Sequence, residues 1–151
     1  MTVHSSNQDT HGDFTIDHVA VSVSNLARSI EFYGKNFGFR CERVIELPHR
    51  NGKVALLRTA GFDIEMFEFA NVLPLPVYRQ TPDTDLRTMG VKHFALRVND
   101  ASGAYDSLKR NGVEVVSDVT VGVRGVKRFF VRDPDGIGIE ITESHSLSQS
   151  R

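Results

Sequence analysis

Two histidines and two glutamates recur in this chain as a spaced pair. His18 opens the run His-Val-Ala-Val, and 75 residues later His93 opens His-Phe-Ala-Leu. Glu65 lies inside Gly61-Phe-Asp-Ile-Glu-Met-Phe-Glu68. Glu140 takes the same place, at the same offset, in Gly136-Ile-Gly-Ile-Glu-Ile-Thr-Glu143. A lone strand histidine is usually structural, and a lone strand glutamate usually faces solvent. Unrelated surface residues have no reason to recur as a His/Glu pair at one common offset. Two imidazoles and two carboxylates form a borderline-hard donor set. It suits one divalent transition metal (Zn, Ni, Co, Mn or Fe), with water in the remaining positions.

The elements that carry these residues repeat too. Ile16 to Val23 alternates and is β-branched, so it reads as a strand. Ser24-Asn25 supplies an N-cap, Leu26, Ile30 and Tyr33 recur at helical spacing, and Gly38 marks the stop. Phe39 to Leu47, Lys53 to Thr59 and Asp63 to Phe69 read as three further strands. The second copy runs from a strand at Lys92 to Val98 into a helix from about Ala101 to Arg110. Asn99 or Asp100 caps that helix and Asn111-Gly112 ends it. Strands follow near Val113 to Val116, Lys127 to Arg132 and Ile137 to Glu143, with Asp133-Pro-Asp-Gly136 as a turn. Asn36-Phe-Gly38 lies over Asn111-Gly112, where the offset slips by one before returning to 75.

The expected fold is therefore α+β: two tandem βαβββ modules forming a curved mixed sheet, an open barrel, around a metal site. Module one spans 14–70, a Pro-, Thr- and Asp-rich linker 71–91, and module two 92–143; 1–13 and 144–151 read as tails. Side chains alternate along a strand. Val19, Val21 and Val23 oppose His18, Ala20 and Ser22, and Ile64 and Met66 oppose Glu65 and Phe67. Phe94, Leu96 and Val98 oppose His93, Ala95 and Arg97, and Ile139 and Ile141 oppose Glu140 and Thr142. Each copy thus has an apolar face for its helix and a second face carrying one His and one Glu. Glu68 and Glu143 fall on the helix side.

Bulk composition narrows the partners. The chain has 151 residues, 40% hydrophobic and 25% charged, enough for one compact domain. A net charge of -1 gives no support to nucleic-acid binding. No apolar run approaches the roughly 18 residues that cross a bilayer, and the N-terminus lacks the apolar region of a secretory signal. The single cysteine, Cys41, excludes an internal disulfide and fits the cytoplasm.

The duplicated unit, the His-x-Ala strand starts, the Asp-Pro-Asp-Gly turn and the Ile-Glu ending together resemble the vicinal oxygen chelate superfamily. That group includes glyoxalase I, methylmalonyl-CoA epimerase, extradiol dioxygenases and antibiotic-resistance proteins. The resemblance covers about Phe14 to Glu143. It implies that His18, Glu65, His93 and Glu140 are the metal ligands, matching glyoxalase I in type and order. The full set favours the isomerase, epimerase and lyase branch. An Fe(II) ring-cleaving dioxygenase and a drug- or metabolite-binding resistance protein are the alternatives. Glutathione-dependent glyoxalase I commonly carries an Arg four residues after its first His and an Asn four after its first Glu. Ser22 and Phe69 stand there instead, so glutathione is not expected in the substrate. Members place the two modules together within one chain or across a homodimer. In the second case each metal takes His18 and Glu65 from one subunit and His93 and Glu140 from the other.

Such a site holds a small-molecule substrate by two vicinal oxygens, and the metal acts as a Lewis acid toward the enediolate left by proton loss. Glu140 is the expected base and Glu65 its counterpart. Arg97, four residues after the second His, is placed to anchor an anionic substrate group, with a solvated strand end as the plain reading. Phe67 and Phe69 suit an apolar substrate portion. His49 sits in an exposed turn, and His4, His11 and His145 lie in tails. Tyr78 and Arg79 belong to a lid or a dimer contact. Arg124, Lys127 and Arg128 form a basic cluster, by default a solvated face and otherwise a phosphate or CoA contact.

Overall fold

The computed structural model describes residues 14–145. The expected tail 1–13, with His4 and His11, lies outside the described residues, as do 146–151. Module one runs β1 (His18–Ser22), α1 (Leu26–Phe37), β2 (Arg40–Leu47), β3 (Gly52–Thr59) and β4 (Phe62–Phe69). A short α2 (Pro82–Asp85) follows in the linker. Module two runs β5 (Phe94–Val98), α3 (Ala101–Arg110), β6 (Glu114–Val115), β7 (Thr120–Val121), β8 (Lys127–Arg132) and β9 (Gly138–Glu143). The two sheets are ordered β1-β4-β3-β2 and β5-β9-β8-β6, with β7 paired to β8. The α+β class and its paired βαβββ modules are present, as open sheets and not a closed barrel. No helix among the described residues is long and apolar enough to cross a membrane.

Each module closes the same way. β1 feeds α1 and the chain returns so that β4 lies parallel to β1, as β9 lies parallel to β5. Asn25 caps α1, its Oδ1 accepting from the Arg28 N–H at 2.9 Å, and Gly38 ends it in the left-handed region at φ 73°. Asp100 caps α3 through the Ser102 and Gly103 N–H groups. The expected start of β1 at Ile16 moves to His18. Pairing with β4 starts at His18 opposite Asp63, one residue into β4, which leaves Ile16 beyond that strand's first residue, Phe62. β7 was not expected, since two residues are too few to show a period.

Glu68 and Glu143 take a role their strand position alone did not announce. Glu68 Oε2 accepts from the Leu26 N–H at 2.5 Å, and Glu143 Oε2 accepts from the Ala101 N–H at 3.0 Å. Both pairs keep the offset of 75. Each carboxylate satisfies an otherwise orphaned donor at a helix start and meets the positive end of the helix dipole.

The modules share one core. Its buried residues include Tyr33, Leu57, Ile64 and Met66 from the first and Leu108, Phe129, Ile139 and Ile141 from the second. Phe94 stacks on Phe62 at 5.7 Å and on Tyr33 at 6.5 Å between ring centroids. The Asp-Pro-Asp-Gly turn locks this packing. The Tyr33 hydroxyl donates to buried Asp133 at 3.1 Å, and Asp133 also accepts from the Asp135 and Ile137 N–H groups. Asp135 accepts from the Ser24 hydroxyl at 2.5 Å, the Ser24 N–H at 3.0 Å and Arg28 at 2.8 Å. Asn111 Nδ2 donates to Asn36 Oδ1 at 3.3 Å, so two repeat-related residues touch each other. Because the helix-side faces meet, the His/Glu faces turn away from the shared core.

The Leu26 N–H is the main reason the Glu68 carboxyl sits below its ordinary range, with Lys53 adding to it against partial burial. A lowered folded-state value means the stability is present above the unfolded value and lost as pH falls through the folded one. Glu68→Gln is expected to cost about 1 kcal/mol at pH 6. Urea midpoints followed by circular dichroism should show that gap narrowing by pH 3; an unchanged gap would remove the charge from the argument.

Candidate metal centre

Each His/Glu pair is assembled by a parallel strand pair. In module one, His18 pairs with Asp63 and Ala20 with Glu65 across β1 and β4. His18 Nε2 lies 3.5 Å from Glu65 Oε2. In module two, Ala95 pairs with Glu140 across β5 and β9, and His93 immediately precedes β5. His93 Nε2 lies 3.3 Å from Glu140 Oε2. Both pairs are partly open to solvent, with side-chain exposures of 38% and 37% in the first and 32% and 20% in the second. The four residues are therefore brought together two by two. Among the described residues, no three His, Cys, Asp or Glu side chains gather as a metal-holding group.

The donor chemistry fits a divalent ion. His18 Nδ1 lies 2.8 Å from Asp17 Oδ2. With the Nδ1 proton directed there, the Nε2 lone pair is left facing Glu65, the usual orientation of a metal-binding imidazole. Lys92 stands where a repeat would put that aspartate. The His93 ring is steadied differently, edge-on to Phe130 at 5.1 Å. A shallow cavity of about 180 Å³ lies at the first pair, lined by Asp17, His18, Asp63 and Glu65.

The surrounding rows differ between modules. Across β3 and β4, Leu56 stands beside Glu65 and Val54 beside Phe67. Phe67 and Phe69 stack at 5.9 Å with ring planes 8° apart, giving this face an apolar wall. Across β8 and β9, Phe130 stands beside Glu140 and Arg128 beside Thr142. Arg97 pairs with the same Thr142 from the other side, so two arginines flank it on the His/Glu face. Arg97 is exposed and also lines a groove of about 730 Å³ with Phe62, Leu108 and Arg124.

Two expectations change. Arg128 leaves the supposed basic cluster for the ligand face. Its Nε lies 3.5 Å from Glu140 Oε1, and its guanidinium lies over Phe130 at 4.9 Å. Lys127 points the other way, toward Ser102. Strand alternation in Lys127-Arg-Phe-Phe-Val-Arg132 was the available signal, because it puts Arg128 in phase with Phe130. Arg79 is not free to act as a lid residue. It bonds Asp85 at 2.9 Å and the Val91 carbonyl at 2.6 Å, which fixes the linker to itself. Tyr78 stays largely exposed.

A family profile for the Glyoxalase/Bleomycin resistance protein/Dioxygenase superfamily matches residues 15–141. A lactoylglutathione lyase of Escherichia coli O157:H7 is 32% identical over 127 residues, covering 83% of this chain and 90% of that enzyme. A lactoylglutathione lyase of Arabidopsis thaliana is also 32% identical over 127 residues, but the chain spans only 43% of its length. Among solved structures, a glyoxalase family protein from Enterococcus faecalis superposes with a TM-score of 0.73 at 28% identity. That match covers 85% of this chain and 97% of the other.

The hydrogen bond to Asp17 raises the His18 imidazole above its ordinary range, with Glu65 adding to the effect against some desolvation. In metal-free protein, an NMR titration should find Asp17→Asn lowering the His18 midpoint. An unmoved His18 would mean that Asp17 does not orient the ring in solution.

Proposed function

The chain belongs to the glyoxalase/bleomycin resistance protein/dioxygenase superfamily, and on that premise we propose that it is a metal-dependent isomerase, epimerase or lyase acting beside a carbonyl, with its sites shared across a homodimer. One observation carries this reading: in each of two repeat-related pairs a His faces a Glu, at 3.5 Å and 3.3 Å, on a sheet face turned away from the core. His18, Glu65, His93 and Glu140 would hold one divalent ion (Zn, Ni, Co, Mn or Fe). When bound, it supplies a Lewis acid for two vicinal substrate oxygens. Glu140 takes and returns the proton on the substrate α-carbon, and Glu65 serves the opposite face. Phe67 and Phe69 receive the apolar part of the substrate. Ser22 and Phe69 lack the guanidinium and the amide that the expected Arg and Asn would bring to glutathione, so the substrate is not a glutathione adduct.

The dimer reading has its own support. Phe14, Ile16, Met89 and Val91 are 92%, 89%, 98% and 75% exposed. Phe14 and Met89, and Ile16 and Val91, are again 75 residues apart. Phe14 and Ile16 lead into His18 and β1, and Met89 and Val91 into His93 and β5, each strand at the free edge of its sheet. Exposed apolar side chains beside an unpaired strand edge invite a partner strand. A second copy meets that need twice, through one isologous contact. The exposed Cys41 accords with a reducing, cytoplasmic setting.

Mixed variants test the shared site. Tag-free His18→Ala and His93→Ala proteins should each lose the bound metal on elemental analysis. Unfolded together and refolded as a mixture, they should regain metal at about a quarter of the sites, because half of random dimers carry one intact site. No recovery would place each site within one chain, and undiminished metal in both variants would remove the ligand assignment. For any compound the protein turns over, the α-hydrogen should exchange with solvent deuterium. Glu140→Gln should slow that exchange by roughly 10²–10⁴-fold, and exchange at the wild-type rate would move the base elsewhere.

A further inference from the structure

The two ligand faces are not copies of one another. Val54 and Arg128 occupy equivalent places, since Val54 pairs with Phe67 and Arg128 with Thr142, and Phe67 and Thr142 stand 75 residues apart. One face therefore carries an aliphatic group where the other carries a guanidinium. Arg128 is also held in position. Its guanidinium lies over Phe130, and its stem runs against Gly122. A Cβ at Gly122 would fall 2.6 Å from Arg128 Nε and 2.7 Å from its Cδ. Gly122 is not at a positive φ, so no backbone strain at that position requires glycine. The space is what the arginine uses.

The guanidinium is only partly engaged. Its Nε approaches Glu140 Oε1 at 3.5 Å, while Glu140 Oε2 turns to His93 at 3.3 Å. Among the described residues neither terminal nitrogen of Arg128 has a hydrogen-bond partner, and the side chain is 31% exposed. A planar fork with free terminal donors matches a carboxylate in two-pronged fashion. Arg97, across Thr142 in the same row, adds a second cation. The neighbouring Arg132 differs: it is spent on Glu114 and the Gln80 carbonyl.

We propose that Arg128 is a specificity-determining residue that takes a second anionic group of the substrate, a carboxylate carried next to the vicinal oxygens. The inference rests on the reading of Glu140 as a ligand-face carboxylate. It defines the substrate class as a small hydroxy or oxo acid with one carboxylate beyond the chelating pair.

Lactate and malate are the probes, because malate adds one carboxylate to the same α-hydroxy acid. Calorimetric titration of metal-loaded wild-type protein should show malate binding about tenfold tighter than lactate, the size of a charge-assisted pair. Arg128→Ala should abolish that preference, keep lactate binding and keep the metal content. Arg128→Lys should retain part of it. Gly122→Ala, which leaves the charge but crowds the stem, should erode it. An unchanged malate-to-lactate ratio in Arg128→Ala would overturn the proposal, as would equal loss of both ligands or wild-type protein with full metal and no malate preference. Wild-type protein that holds no metal would overturn the metal reading itself, and the proposal with it.

Discussion

The Asp-Pro-Asp-Gly turn, reaching back to the first helix, is the constraint on which the rest of this molecule depends. Asp133 is almost fully buried, and burial pushes its carboxyl up while three hydrogen bonds pull the other way. Leaving the buried Tyr33 hydroxyl or that carboxyl unmatched would cost about 1–3 kcal/mol. Asp135 is pulled up by burial, but the hydrogen bonds from Ser24 and the charge of Arg28 outweigh this and hold it below the usual range. Together they bind module two to the start of α1. Once that is done, the helix-side faces of both sheets are spent on one core. Both His/Glu faces must look elsewhere, and within the chain they do not meet.

Duplication explains the geometry of each half better than it explains the whole. A parallel β1/β4 pair fixes the height of His18 relative to Glu65, and β5/β9 does the same for His93 and Glu140. The glutamates three residues further on, Glu68 and Glu143, lie on the opposite face and cap the helix that follows the neighbouring parallel strand, β1 or β5. One repeated strand thus sets a donor on one face and a helix start on the other. A change in register would disturb both at once, because a one-residue slip turns every side chain over.

Much of this was legible in the sequence, for identifiable reasons. The offset of 75 needed no structure, and alternation alone separated His18 and Glu65 from the apolar core side. Asn25, Gly38 and Asp100 are local signals, and the helices begin and end where they say. Features set by tertiary contact were not legible. Arg79 reads as free until Asp85 and the Val91 carbonyl are seen beside it. The two-residue β7 exists only because β8 lies alongside. Arg128 has the phase of a ligand-face residue, but its closeness to Glu140 depends on the β8/β9 register, which the turn fixes in space and not in any pattern of residue types. Whether two His/Glu pairs share a chain is likewise a matter of packing.

Divergence between the halves would give the proposed shared site a direction. Asp17 steadies the first histidine by a hydrogen bond, whereas Phe130 steadies the second by ring contact. Beside Glu65 the rows are Leu56, Val54 and stacked phenylalanines; beside Glu140 they are Phe130, Arg128 and Thr142. Were the walls identical, a bound molecule would have two equivalent orientations, and acid and base could not be told apart. In the proposed homodimer an apolar wall from one module would face a cationic wall from the other, and a molecule with one apolar and one anionic end would have a single favoured orientation. The strength of that preference scales with the unlikeness of the walls, not with the ligands. The repeat that made the His/Glu pairs recognisable is therefore kept at His18/His93 and Glu65/Glu140 and broken in the walls beside them.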